Sequence, residues 1–226
     1  MRIKWYGHAA FGLFPGDGPK TITDPYTPET VGYAPISDPA DLVIISSADD
    51  DAHCRADLIA GDPQVVNALE VADGGGTLET LGISISAIEV CEWEYHPDHA
   101  VPGRNGMYRF TLDGINCAHM GDVGNRLSDE QEEFFTDVDI LFALAGGHLT
   151  IDLPDLMEMI HRMRPKLVIP MHFRTLAYQP RNTLWIESFL MNFREDDIEF
   201  VCSSEVDVSR GQIPDRTRVL VMDYVR

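Results

Sequence analysis

The feature that most constrains this chain is a set of short apolar runs that stop abruptly at acids or imidazoles. Asp41–Ser47 (DLVIISS), Ile140–Ala145 and Leu167–Phe173 are too short for ordinary helices and almost continuously apolar, as strands buried on both faces are. The first of these runs into Asp49, Asp50 and Asp51, and the last carries His172 near its end. Ile3–Tyr6 stops at Gly7-His8, and Thr21–Thr23 stops at Asp24. Strand ends along one edge of a sheet converge on a common site, and Asp and His gathered there are the raw material of a metal centre. Each residue also has a local reading. A lone Asp or His at a strand end serves as a turn or cap, and Asp49–Asp51 suit the N-terminus of a short helix over Ala52–Ile59.

The order of elements narrows the fold class. The first half is short strands and turns, with Ile3–Tyr6, Phe11–Phe14, Thr21–Thr23 and Val65–Val71 as strands and a proline-rich loop over 25–40. Met107–Leu112 and Ile115–Met120 flank Asp113-Gly114, a strong hairpin signal. Beyond them Ser128 and Gln131 predict a capping box. Leu153, Leu156, Met157, Ile160 and Met163 recur at helical spacing between Pro154 and Pro165. Trp185, Phe189 and Phe193 form a second helical stripe, and Ile198–Cys202 and Val219–Val225 are terminal strands. Strands first, then strands alternating with helices, predict mixed sheets covered by helices in one domain over residues 1–226.

Charge excludes some partners. Lys and Arg number 17 against 37 Asp and Glu, a formal net charge of −20. Such a surface repels phosphate backbones and anionic lipid, so neither nucleic acid nor a membrane surface is an expected partner. Lysines are confined to Lys4, Lys20 and Lys166, a composition that salt adaptation also produces. Cys54, Cys91, Cys117 and Cys202 form no C-x-x-C pair and read as reduced thiols of a cytoplasmic protein. Met1–Phe14 reads as folded structure, not as a signal peptide, and no apolar run approaches the ~18 residues of a membrane span.

The motifs resemble those of metal-dependent hydrolases of the metallo-β-lactamase fold, closest to the L-ascorbate-6-phosphate lactonase-like branch. The segments that carry the resemblance are Lys4–Phe11 (KWYGHAAF), Ile22–Tyr26 (ITDPY), Gly103–Gly106 (GRNG), Cys117–Gly124 (CAHMGDVG), Gly146–Asp152 (GGHLTID) and Pro165–Phe173 (PKLVIPMHF), in the family's order. The resemblance implies an αββα sandwich of two mixed sheets flanked by helices. It also exposes a departure. Where the family has His-x-His-x-Asp-His, this chain reads Ser46-Ser47-Ala48-Asp49-Asp50-Asp51-Ala52-His53. In one register Ser47 and Asp49 stand at the first two histidines, Asp51 at the aspartate and Ala52 at the last histidine. A one-residue shift recovers His53 as the last histidine but puts Ala52 at the aspartate.

Carried over residue by residue, the resemblance makes Asp49, Asp51, His53, His96, Asp122 and His172 the metal-ligand candidates. Asp51 and Asp122 are the catalytic candidates, and His8, Asp24, His119 and His148 support the site from behind. Such a reduced, carboxylate-rich set suits one divalent ion, Mn, Fe or Zn, more than two, with a metal-free site left open. The function expected is metal-assisted hydrolysis of a small ester, lactone or phosphoester. The alternative is a metal-free member of the fold that binds a ligand or partner. A nucleic-acid hydrolase is disfavoured by the charge. The expected partner is a small-molecule substrate, and the resemblance also allows a homo-oligomer.

Overall fold

Alternation along the first strands assigns their two faces. In the computed structural model, which describes residues 1–93 and 103–226, β1 (Arg2–Gly7) turns Ile3 and Trp5 into the main core and Tyr6 to the opposite face. Side chains on a strand alternate in this way. β2 (Ala10–Phe14) and β3 (Thr21–Thr23) pair antiparallel beside β1, whereas β4 (Leu42–Ile45) and β5 (Gln64–Asn67) continue the sheet in parallel. The helix between β3 and β4 is one short turn, α1 (Pro28–Val31).

The second sheet begins at β6 (Thr77–Thr80), continues through the long β7 (Ile83–Trp93) and β8 (Gly103–Leu112), and reaches β9 (Ile115–His119) by antiparallel pairings. The β8–β9 turn places Asp113 at φ 50° and Gly114 at φ 69°, the left-handed pair that matches the twist of a two-residue hairpin. β10 (Ile140–Leu144) and β11 (Leu167–Met171) then add in parallel, both buried throughout. The remaining strands are β12 (Ile198–Phe200), β13 (Glu205–Asp207) and β14 (Arg218–Val221). β13 joins the first sheet, in the order β13-β1-β2-β3-β4-β5. The second sheet runs β12-β14-β11-β10-β9-β8-β7-β6.

Both sheets are therefore mixed, and their inner faces meet. Phe11 of the first lies 4.4 Å from Phe142 of the second, ring to ring, and Trp5 lies 5.0 Å from Phe173. Outside the second sheet, α4 (Leu153–Met163) crosses from β10 to β11 and buries Leu156, Met157, Met159, Ile160 and Met163. The predicted capping box is formed: Ser128 and Gln131 bond each other's backbone amides at the start of α3 (Asp129–Glu133). The outer face of the first sheet is covered by α1 and by an irregular segment bearing Tyr26, Tyr33 and Ile59. The αββα expectation holds, with few helices.

Several boundaries differ from the sequence reading. Val65–Val71 is not one strand. Asn67 accepts a hydrogen bond from the Leu69 amide and so caps α2 (Ala68–Asp73), ending β5. Ala52–Ile59 forms only a 3₁₀ turn at Ala56–Leu58, and the Trp185–Phe193 stripe shortens to α5 (Ile186–Leu190). β7 was not foreseen, although Ile83, Ile85 and Ala87 alternate with Ser84 and Ser86 as in a half-buried strand; the alternation breaks at Ile88-Glu89.

Candidate metal centre

Strands of both sheets deliver imidazole or carboxylate to one place, and the backbone there is unusual. His8 follows β1 at φ 53°, Asp24 follows β3 at φ 37°, and His172 follows β11 at φ 56°. A left-handed residue turns the chain sharply and is uncommon outside glycine, although Asp and His tolerate it better than most. The turns interlock, since the His172 amide donates to the His8 carbonyl at 3.1 Å. Gly7, at φ 120°, leaves space for the Tyr33 ring, which would stand 2.5 Å from any Cβ placed there.

Asp24 organises the interior. It is fully buried, its Oδ1 accepts from the Ser46 amide at 2.7 Å, and its Oδ2 lies 3.2 Å from His53 Nδ1. That contact has His53 Nδ1–H donating to the carboxylate and turns Nε2 inward. A carboxylate behind an imidazole fixes the tautomer of a metal-ligating histidine in this way. His53 Nε2 then lies 3.0 Å from His8 Nε2, 3.5 Å from Asp122 Oδ2 and 4.0 Å from Asp50 Oδ2. His172 Nε2 completes the ring at 3.3 Å from Asp122 Oδ1. Tyr178 closes one wall, its ring 5.3 Å from that of His8.

Among the described residues, two donor groups are close enough to share an ion: His8, His53 and His172, and Asp50, His53 and Asp122, the donor atoms of each group within 4.8 Å of one another. Asp122 arrives on the turn after β9, where its amide donates to Asn105 Oδ1 at 3.0 Å. Its own Oδ1 is shut off from solvent and accepts no hydrogen bond.

The charges are unbalanced without a cation. Burial opposes ionisation of His53, but Asp122, Asp24 and Asp50 outweigh it and push the imidazole up to about 10. Burial pushes Asp122 up to about 6, against the pull of His53. Burial, reinforced by the Asp122 charge, pushes Glu92 up to about 8. His172 is driven down to about 3 by burial and the charge on His53, and His8 goes the same way. One imidazolium thus sits among carboxylates, with two neutral imidazoles beside it.

The structure arranges the sequence candidates differently from the motif. His8, assigned a supporting role, lies in the innermost cluster. Asp50, absent from the ligand set, faces His53, while Asp49 and Asp51 are exposed. The reason is local. Asp50 Oδ1 accepts from the Ala52 amide and its carbonyl from the His53 amide, while the Asp51 carbonyl is held outward by the Thr27 amide. Asp51 as a catalytic group and Asp49 as a ligand find no support in this geometry. Ser47 is buried, and His53 lies within the cluster. His119 is buried behind the cluster, with Nδ1 accepting from the Gly121 amide and Nε2 donating to the Ala9 carbonyl. His148 is exposed. His96 lies outside the described residues. The missed signal was His8 directly after Gly7 at a strand end, where a left-handed turn aims a side chain back over the sheet edge.

These features define a member of the metallo-β-lactamase superfamily: the chain belongs to the beta-lactamase superfamily domain family, whose sequence profile matches residues 2–172. It is 28% identical over 196 residues to a UPF0173 metal-dependent hydrolase of Thermoplasma acidophilum, covering 77% of this chain and 84% of the relative. A Thermotoga maritima structure, described as a candidate zinc-dependent hydrolase of the metallo-β-lactamase superfamily, superposes with a TM-score of 0.76. It is 28% identical and is covered to 99%, as is this chain. A Parabacteroides distasonis structure at 15% identity and TM-score 0.66 shares the fold, with 99% of this chain and 93% of that one covered.

Proposed function

We propose that the protein is a metal-dependent hydrolase of a small ester, lactone or phosphoester, acting at the cluster of His8, His53, His172 and Asp122. The observation that carries this reading is the Asp24–His53 contact, which turns a buried Nε2 toward two further imidazoles and a carboxylate. The donor set fits a divalent cation. Asp122 Oδ1 is buried with no hydrogen bond, and a ring of imidazole and carboxylate is the chemistry that Zn²⁺, Mn²⁺ and Fe²⁺ accept. His8, His53, His172 and Asp122 would hold the ion. When bound, such an ion makes water nucleophilic near neutral pH and polarises the scissile carbonyl or phosphoryl group.

The chain's own residues set the conditions for that chemistry. Asp24 keeps the His53 proton on Nδ1. The Asn105 bond to the Asp122 amide fixes the turn that presents that carboxylate to the cluster. Tyr178 and the sheet edge exclude bulk water from one side. The surface cavity of about 560 Å³ lined by His161, Arg164, Arg194 and Arg216 adjoins the start of β11, the opposite edge from His172, and plays no part.

The relatives named metal-dependent hydrolases support the class of reaction, and the charge of −20 argues for a small substrate over a nucleic acid. The test is metal content after purification without chelator, followed by assays on aryl esters, lactones and phosphodiesters before and after chelation. Metal present and hydrolysis lost on chelation is the expected result. No binding of any divalent ion would leave a metal-free binding protein instead.

A further inference from the structure

The loops that follow β10 and β11 form a lip beside the cluster. Residues 172–178 close on themselves: the ring of His172 lies 5.8 Å from that of Tyr178, and both lie against His8, at 4.0 Å and 5.3 Å. Thr175 holds this loop from inside, its Oγ1 accepting from the Tyr178 amide at 3.1 Å and lying 3.0 Å from the Tyr33 hydroxyl. Its crest is Leu176, which is 83% exposed. The second loop is stitched to the first. The Arg174 amide donates to the Leu184 carbonyl at 2.8 Å, and the Leu184 amide to the Gly146 carbonyl at 2.7 Å. Gly146 packs so closely that a Cβ there would stand 2.1 Å from the His172 carbonyl oxygen. From Gly146 the chain passes Leu149 to reach Ile151, whose amide donates to the carbonyl of Val123, the residue after Asp122. Leu149 (43% exposed), Leu176 and Trp185 (41% exposed) are thus three large apolar side chains in solvent, on segments bonded to the turns that carry His172 and Asp122. One exposed apolar side chain is ordinary, whereas several on adjoining segments mark a binding surface.

The same stretch is an exception to the charge of the chain. Residues 172–186 contain Arg174 and Arg181 and neither Asp nor Glu, in a protein with 37 acids and a net charge of −20. The Arg174 guanidinium lies 4.9 Å over the Trp185 ring, and it donates to the Arg181 carbonyl at 3.1 Å. Its Nε is shut off from solvent with no acceptor, and among the described residues no carboxylate pairs with Arg174 or Arg181. An arginine stacked on an aromatic ring keeps a planar fork of N–H donors that matches a carboxylate or phosphate. On an acidic protein, two unpaired arginines are also where the field turns in favour of an anion.

We propose that this lip selects the substrate: an ester or lactone with an apolar body, packed on Leu149, Leu176 and Trp185, and an anionic group remote from the scissile bond, held by Arg174 with Arg181 beside it. This inference rests on the hydrolase reading and narrows it from small esters in general to amphipathic anions. The rest of the surface repels an anion, so a substrate gains from its charge only where it reaches the two arginines.

The test is titration of the full-length protein, as purified and again after chelation, with hydrocinnamate, phenyl phosphate and the neutral hydrocinnamide, followed by tryptophan fluorescence. Trp185→Phe should remove the signal. Hydrocinnamate should bind at least about tenfold tighter than the amide, the scale of a hydrogen bond to a charged group. Arg174→Gln should erase that preference, and Arg174→Lys should keep part of it, because an ammonium retains the charge but not the fork. Leu176→Ser should weaken acid and amide alike, by about threefold. The tighter of hydrocinnamate and phenyl phosphate assigns the anion as carboxylate or phosphate. In turnover, the nitrophenyl monoester of succinate should surpass nitrophenyl butyrate in kcat/KM, chiefly through KM, and the ratio should fall toward one in Arg174→Gln. Equal binding of acid and amide by the wild type, a preference that survives Arg174→Gln, or no binding of either anion overturns the lip and leaves the hydrolase reading standing. The expected preference in a protein that holds no metal and turns over no ester supports the lip as an anion site and overturns the hydrolase reading instead. Should Arg174→Gln fail to fold, as judged by its melting transition, Arg174→Lys and Arg181→Gln carry the comparison, each reducing the preference in part.

Discussion

The turn after β9 carries Asp122 into the cluster through bonds made to its backbone amides, whereas the segment after β4 carries His53 there through a bond made to the imidazole itself. In the first, Gly121 adopts φ 61°, His119 Nδ1 accepts from the Gly121 amide, and Asn105 holds the Asp122 amide. In the second, Asp24 reaches from the end of β3 to hold both the Ser46 amide and His53 Nδ1, and Asp50 folds the intervening residues into a tight turn. A segment gripped at its backbone amides, with glycine at the left-handed position, keeps its motif, because each position has a conformational task. A segment held by a remote carboxylate can exchange its motif residues and still deliver an imidazole. That is the condition of Ser47–His53.

The comparison can be broken at its remote anchor first. Asp24→Ala leaves His53 and the Ser46 amide without their buried acceptor, and breaking such a buried pair costs about 3–5 kcal/mol. Urea unfolding should show that loss, and divalent-ion binding should disappear. An Asp24→Ala protein of wild-type stability would show that the second segment holds itself.

Next in size is the pH response of the metal-free protein. The folded His53 titrates near 10 against about 6.5 when unfolded, so its contribution is complete below about pH 6.5 and is lost as pH rises through about 10. Glu92, raised to about 8 from an unfolded value near 4.5, acts in the same direction through pH 8. Stability measured by urea with chelator should fall steadily between about pH 6.5 and 9.5. His53→Gln should flatten the slope, and a stability that rises over this range contradicts the assignment.

The backbone-held turn predicts a smaller effect. A methyl at Gly121 would stand 2.6 Å from the Asn105 amide group and 2.7 Å from the Ser46 Cβ, at a left-handed φ. Gly121→Ala should cost about 1–3 kcal/mol, by strain of the kind that left-handed non-glycine residues store, and should lower metal affinity by displacing Asp122. The smallest effect belongs to Asp51→Ala, which removes an exposed side chain. Its stability should stay within about 0.5 kcal/mol of wild type with ion affinity unchanged, whereas Asp50→Ala should weaken ion binding. Equal titration curves for the two variants would remove Asp50 from the site.

The same contrast explains how much was legible in the sequence. The buried strands at 41–47, 140–145 and 167–173 and the Asp113-Gly114 hairpin were readable, because continuous apolar runs and left-handed turn residues act locally. β7 was missed although Ile83, Ile85 and Ala87 alternate with Ser84 and Ser86, because the alternation breaks at Ile88-Glu89 and pairing with β8 carries the strand on to Trp93. Within the site, Asp122 and His172 sit in the cluster where motif reading had placed them. His8 and Asp50 lie closer to His53 than motif spacing placed them, because spacing ranks residues by sequence position, and here Asp24 sets the position of His53 from 29 residues away.

The left-handed turns at His8, Asp24 and His172 bear on how this site can evolve. Their conformation disfavours β-branched side chains before any chemistry is tested, and Gly, Asn, Asp and His sit there with least strain. Of those, only Asp and His are common metal ligands. A library randomised at positions 8, 24 and 172 should therefore return a very short alphabet among folded clones, in which nearly every alternative to glycine or asparagine is itself a ligand. At these positions the backbone keeps the lineage within reach of a metal site, including through intervals when selection for catalysis is relaxed.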